Sequence, residues 1–279
     1  DIIKTNQLNG SWVAFLLKLV FKKPLIIRTG YDLFEFTLKE KKSLILKIFN
    51  YTQTLFSLMF ADKYIVASNS DKLFLGKNFY KSKKIQVNPN WVNDLKFNNF
   101  MNRFSHKILT VGRLEKQKNL DNLISSLANS SIELDIIGDG SLKNYLVNHA
   151  EKSSAKVNFL GKMDFNKLSD IYKDYRIFIL SSLYEGNPKV VLEAMSSGAL
   201  VIAPRNSNTE EIIQDGVNGV LYDSFENLDD IIEQYLNNQV MFDKLTWEAY
   251  NSIKSNNLIT KIMENELSIY MELDKRNNS

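Results

Sequence analysis

Tyr184-Glu185-Gly186-Asn187-Pro188-Lys189-Val190-Val191-Leu192-Glu193-Ala194-Met195 is the stretch that decides the fold. It sets two carboxylates eight residues apart, Glu185 in a loop and Glu193 inside an otherwise apolar run. The residues just before it, Arg176-Ile177-Phe178-Ile179-Leu180-Ser181, read as a buried parallel strand. The chain then turns, and Asn187-Pro188 suits the N-cap and first position of a helix. Gly198 stands where such a helix closes. Glu185 is thereby placed at the carboxyl end of a strand, where open α/β sheets bind ligands. Glu193 falls nearly two turns into the helix, and a carboxylate there needs a partner, because glutamate is rarely buried alone.

Two readings of the pair follow. In one, Glu193 lies on a polar edge of the helix and Glu185 is solvated. In the other, both carboxylates accept hydrogen bonds from the vicinal hydroxyls of a sugar or ribose. Amides at the start of the same helix, at Lys189 and Val190, favour an anion such as phosphate. Hydroxyls together with phosphate describe a nucleotide sugar.

The spacing from Glu185 to Glu193 resembles the Glu-x7-Glu motif of GT4-like retaining glycosyltransferases of the GT-B fold. Further landmarks stand in the family's order. Gly112-Arg113-Leu114-Glu115-Lys116-Gln117-Lys118-Asn119 resembles its diphosphate-gripping loop. Gly138-Asp139-Gly140, Phe159-Leu160-Gly161 and Asp215-Gly216-Val217-Asn218-Gly219 follow. The match is dense from about Lys107 to Tyr222. The resemblance implies an α/β protein with two Rossmann-like domains and parallel sheets, the N-terminal one incomplete. It also implies transfer of a sugar from a nucleotide-diphosphate sugar, UDP- or GDP-linked, to a glycan or lipid-linked hydroxyl acceptor.

On this resemblance, Arg113 and Lys118 neutralise the leaving diphosphate, arginine as a fork and lysine as a point charge. Glu185 contacts donor-sugar hydroxyls and Glu193 the ribose. Gly186, Asn187 and Pro188 lie beside the donor sugar and its phosphate, with the amides of Lys189 and Val190. Gly138 and Gly140 let the backbone approach the nucleotide, although a tight turn explains them equally. Gly161, Lys162 and Met163 stand where the family holds the base. Glu210 and Glu211 are expected to open a helix over 209–214, where carboxylates suit the dipole, and are left outside the site. No metal and no cofactor beyond the donor is expected.

Composition sets outer bounds. The 279 residues are 44% hydrophobic and 24% charged, with a net charge of only +3. That balance suits a globular protein and gives nucleic-acid binding no support. Without cysteine there is no disulfide, thiolate metal site or thiol nucleophile, which fits a cytoplasmic protein. His106 and His149 are the two histidines, and both read as structural. No run reaches the roughly 20 apolar residues of a membrane span. The apolar segments 12–21 and 43–60 are expected to be core-facing helices. The alternative is peripheral contact with a membrane, their lysines toward anionic lipid.

Strand and helix alternate along the chain, the mark of a parallel sheet covered on both faces. Strands are expected at 24–28, 63–68 and 84–87, then at 107–111, 133–137, 156–160, 176–181, 200–203 and 219–222. Helices are expected near 120–127, 142–150, 166–172, 188–197 and 209–214. The domains are expected at 1–98 and 107–255, with a linker at 99–106 and a helix over 256–279 crossing back to the first. Asp1-Ile2-Ile3-Lys4-Thr5-Asn6 departs from the family, which often carries histidine where Lys4 or Asn6 stands. Arg28-Thr29-Gly30-Tyr31-Asp32 follows a strand and suits the acceptor side. Two other functions remain consistent with the sequence. One is a sugar-nucleotide epimerase on the same scaffold, the other a non-catalytic nucleotide-sugar-binding module or inactive fragment.

Overall fold

The computed structural model describes residues 1–93 and 103–277, so positions 99–102 of the expected linker lie outside the described residues. The chain divides into two compact units. The first comprises Asp1–Trp91, Glu185–Asn187 and Ile259–Ser279, the second Val92–Tyr184 and Pro188–Leu258.

The first unit carries β1 (Ile3–Thr5), α1 (Ser11–Phe21), β2 (Leu25–Arg28), α2 (Leu33–Lys39), α3 (Leu44–Phe60), β3 (Lys63–Val66), α4 (Asn69–Asn78) and β4 (Ile85–Val87). Its sheet runs β1-β2-β3-β4, parallel throughout. Every residue of β2 and β3 is buried, which is why both read as near-continuous apolar runs. Three helices start on side-chain caps. Asp32 accepts from the Glu35 amide, Ser43 from Leu46 and Ser68 from Asp71.

The second unit carries β5 (Phe104–Val111), α5 (Leu120–Ser126), β6 (Glu133–Ile137), α6 (Lys143–Ser153), β7 (Lys156–Gly161), α7 (Phe165–Ile171), β8 (Tyr175–Ile179), α8 (Lys189–Ser196), β9 (Leu200–Pro204), β10 (Val220–Tyr222), α9 (Leu228–Asn237) and α10 (Gln239–Asn256). Six parallel strands form its sheet in the order β10-β9-β8-β5-β6-β7. One cluster of buried side chains contains Ile108, Ile136 and Ile177, and another contains Leu109, Phe178 and Val191. Neighbours along β5 and β8 thus feed opposite faces of the sheet. The last helix, α11 (Ile259–Asn277), groups with the first unit, where Ile269 and Leu273 pack on Ile26 and Ile65.

Four expectations are corrected. The segments 12–21 and 43–60 are helices, but each meets the core only along a narrow face, through Ala14 and Leu58. α1 buries only Ser11 and Ala14, and α3 only Thr54, Ser57 and Leu58. Their apolar residues run around much of each helix; small and hydroxylated residues with Leu58 and Phe15 meet the protein, and most of the other large ones point outward. Within the expected linker, β5 already begins at Phe104. No helix forms over 209–214, where the chain makes hydrogen-bonded turns. There Asn206 Oδ1 accepts from the amides of Asn208 and Thr209, and Asn218 Oδ1 accepts from that of Gln214. Such side-chain acceptors compete with helical bonding. Finally, α8 starts at Lys189 with Pro188 at the cap position and no side-chain cap.

Candidate functional site

The strand order of the second sheet fixes where a ligand can sit. β5 lies between β6 and β8, so the direction of winding reverses beside it. Crevices of this kind, at the carboxyl ends of parallel strands, are the ligand sites of open α/β sheets. The loop after β5 and the loop after β8 flank that crevice and are tied together. Leu183 donates its amide to the Gln117 carbonyl at 2.9 Å. Gln117 Nε2 donates to the Tyr184 carbonyl at 2.8 Å, and Ser181 Oγ to the Lys118 carbonyl at 2.6 Å.

Close backbone contacts bring the glycine landmarks to the same strand ends. A Cβ on Gly138 would stand 1.8 Å from the Gly112 carbonyl oxygen, and φ there is +152°. On Gly140 it would stand 2.6 Å from that of Leu114. Gly138 also donates its amide to the Gly161 carbonyl at 2.9 Å, linking the ends of β6 and β7. The Lys118 side chain folds against Gly112, its Cε 3.0 Å from where a Cβ would be. Arg113 is exposed, as is Lys162, while Met163 half-packs on the core. The second unit thus brings Lys118, Gly138, Gly140 and Gly161 together, with Arg113 on the same loop as Lys118.

Glu193 does not occupy a polar edge of α8; it is buried, 8% exposed. Its Oε2 accepts from the Tyr172 hydroxyl at 3.2 Å, and its Oε1 lies 3.9 Å from Lys189 Nζ, one turn back on the same helix. Burial raises its pKa above the usual glutamate value, against the opposing pull of Lys189 and of the Tyr172 hydrogen bond. A carboxylate held this way costs stability and keeps its acceptor capacity for another hydroxyl. Arg103 braces the arrangement from behind. Its buried guanidinium donates to the carbonyls of Tyr172, Tyr175 and Ser197, the last just past the end of α8. Sequence reading missed both supports. Tyr172 is 21 positions from Glu193, and Arg103 stood in the expected linker.

Glu185, Gly186 and Asn187 group with the first unit. Glu185 is half-buried, and Gly186 passes so close to the loop after β2 that a Cβ would sit 2.2 Å from the Gly30 carbonyl oxygen. Asn187 does not cap α8; its Oδ1 accepts from the Asn90 amide at 3.1 Å, and its carbonyl accepts from Asn90 Nδ2 at 2.6 Å. In the same unit Lys4 is held by Glu266 of α11, which also pairs with Arg28 at 3.3 Å. Arg28 in turn lies over the Trp91 ring, 5.2 Å from its centroid. These side chains line a pocket of about 790 Å³ with Asn6, Gly30 and Tyr270. Of the two histidines, His149 takes a structural part, its Nε2 2.8 Å from Ser125 Oγ.

Known proteins share this architecture. The chain superposes on the crystal structure of Anabaena HepE in complex with UDP-glucose with a TM-score of 0.85, at 17% identity, over 98% of this chain and 79% of that one. Sucrose-phosphate synthase from Thermosynechococcus elongatus gives 0.84 at 19% identity, over 99% and 74%. Both likenesses show the fold, which is the expected α/β GT-B type with parallel sheets. In sequence, the chain is 28% identical to an Escherichia coli UDP-Gal:alpha-D-GlcNAc-diphosphoundecaprenol alpha-1,3-galactosyltransferase, over 99% of this chain and 73% of that protein. It is also 28% identical to each of two uncharacterised glycosyltransferases of Methanocaldococcus jannaschii, and it spans only 49% and 62% of their lengths. Residues 93–260, more than half of the chain, match the glycosyl transferases group 1 family, and the chain belongs to that family.

Proposed function

We propose that this chain takes part in retaining transfer of a sugar from a nucleotide-diphosphate sugar to a hydroxyl acceptor, in the assembly of a cell-surface polysaccharide or glycolipid. The observation that carries the reading is Glu193. It is buried inside α8, supported by Tyr172 and Arg103, in the unit whose β5–β8 crevice gathers Lys118 and the close-approach glycines. A carboxylate so placed is a ready acceptor for ribose hydroxyls. The family match and the UDP-sugar complex of HepE support a nucleotide-sugar donor, UDP- or GDP-linked. The E. coli galactosyltransferase, whose name specifies a diphosphoundecaprenol-linked sugar, supports a glycan or lipid-linked acceptor.

The chemistry is displacement on one face of the sugar. The bond from the anomeric carbon to the diphosphate oxygen breaks as the acceptor oxygen bonds to the same face of that carbon. The acceptor's proton passes to the departing phosphate oxygen. Arg113, Lys118 and the amides at the start of α8 stabilise the charge that develops on the diphosphate, and this electrostatic support carries most of the rate. Glu185 orients the donor sugar and Glu193 the ribose. The route uses no protein nucleophile, metal or further cofactor.

One observation favours a second reading. Lys4, at a position where the family often carries histidine, is already engaged by Glu266, which suits a module that binds the donor without turning it over. The deciding experiment incubates the protein with UDP- and GDP-hexoses and a lipid-linked or oligosaccharide acceptor. The linkage formed is then read by NMR. An α-linked product from an α-linked donor is expected. An inverted product would contradict retention, and sugar conversion without acceptor would mark an epimerase.

A further inference from the structure

Two helices of the first unit present a large apolar face. α1 and α3 lie side by side, with Phe15 and Phe60 stacked at 5.4 Å between ring centroids and Ser11 Oγ 3.5 Å from Ser57 Oγ. Part of each outward face keeps a helical stripe. Trp12, Leu16 and Leu19 on α1 are exposed by 54% or more, and Ile45, Phe49 and Phe56 on α3 by 50% or more. Scattered exposed apolar residues are ordinary; a continuous stripe on two adjacent helices is not.

The charged residues within the two helical stretches are all lysines. The stretches 11–23 and 41–61 contain Lys18, Lys22, Lys23, Lys41, Lys42 and Lys47 and no Asp or Glu. Carboxylates stand just outside them. Lys18 reaches Asp62, Lys42 reaches Glu40 and Lys23 approaches Asp1. Neither helix can span a bilayer, since α1 has 11 residues and α3 has 17 against the roughly 20 required. A short helix with an apolar face, lysines at its edge and an aromatic such as Trp12 is built to lie in the membrane interface. A second copy of the chain is a poor occupant. A two-fold contact through this face would set the same basic rim against itself.

We infer that the paired outer faces of α1 and α3 dock the protein on an anionic lipid bilayer. The apolar stripe enters the headgroup boundary, and the lysines meet the negative lipid phosphates. The inference stands apart from the donor chemistry, because a protein that binds no nucleotide would still carry this surface.

Vesicle co-sedimentation tests it. Vesicles containing phosphatidylglycerol are compared with pure phosphatidylcholine, at low and high salt. The wild-type chain is expected to sediment with the anionic vesicles, and less so as salt rises. Lys22→Gln with Lys23→Gln should weaken binding by roughly 25-fold, about fivefold for each lysine charge removed. Ile45→Glu with Phe49→Glu should abolish it. Thermal melting of both variants should match wild type, because these residues are exposed. A folded chain that stays in the supernatant would overturn the inference. So would equal binding to both vesicle types, or a concentration-dependent dimer that the Ile45 and Phe49 changes abolish in the absence of lipid binding.

Discussion

The Tyr172 hydroxyl donates to Glu193 Oε2 at 3.2 Å, between two side chains that are each at most 8% exposed. Glu193 therefore has a fixed orientation before any ligand arrives. Tyr172→Phe removes this bond while keeping the ring that packs 5.8 Å from Phe178. A hydrogen bond to a charged group contributes about 1.5–3 kcal/mol, so nucleotide affinity should fall by about 10- to 100-fold. In the proposed role it is the carboxylate form that accepts ribose hydroxyls, and burial has already raised the pKa of Glu193. Binding should thus weaken as pH is lowered through that raised pKa. In Tyr172→Phe the weakening should begin at a higher pH, because a bond that stabilises the charged form is gone. Titration calorimetry across a pH series reads both effects.

Arg113→Ala and Lys118→Ala should each lower turnover about 100-fold or more, the scale lost with one charge-stabilising donor. Their KM values for the donor should move less than kcat, since the charge they meet grows in the transition state. Near-normal turnover in both variants would remove the proposed leaving-group chemistry.

Gly186→Ala should distort the loop that carries Glu185, because the added methyl would lie 2.2 Å from the Gly30 carbonyl oxygen. Backbone cannot yield as a flexible side chain does, so a cost of about 1–3 kcal/mol is expected. Gly216→Ala serves as a comparison. Its φ of +68° carries strain, yet nothing lies within 4 Å of the new Cβ. Melting curves of the two variants separate steric overlap from backbone strain.

The first unit should lose stability as pH rises from about 4 to about 7. Burial pushes the pKa of Asp71 up to about 7 and that of Asp32 up to about 6, with Glu35 adding repulsion and Lys39 partly offsetting it at Asp71. Asp71 Oδ2 and the fully buried Tyr64 hydroxyl lack a hydrogen-bond partner among the described residues. A carboxyl whose pKa is higher folded than unfolded favours the folded state below the unfolded value. That advantage is lost as pH climbs through the folded one. Asp71→Asn should therefore raise stability at pH 8, by about 1–3 kcal/mol, and change little at pH 4. Denaturant unfolding at the two pH values checks the sign.

Local grammar explains what the sequence revealed. β6 spans Glu133–Ile137, the stretch its apolar run marks; the glycines at 138 and 140 follow it, where close approach demands them, and Gly161 ends β7 with a φ of +73°. What stayed hidden depends on contacts distant along the chain. Nothing in the text around residue 172 tells that its hydroxyl reaches Glu193, and an arginine at 103 looks like surface until three carbonyls converge on it. Hydrophobicity marked 12–21 and 43–60 as helices, but an apolar residue carries no sign of whether protein or something else covers it. The sequence pattern suggests a helix over 209–214, but asparagine side chains rather than that pattern decide the bonding there.

The central claim is that this chain holds a nucleotide sugar through Glu193 and the loop of Arg113. Calorimetry with UDP, GDP and ADP tests it most directly, on wild type, Glu193→Ala and Arg113→Ala. The account predicts selective binding of one diphosphate, weakened at least tenfold in both variants while their melting curves stay cooperative. A folded wild-type chain that binds none of the three, or binding untouched by both substitutions, would contradict it.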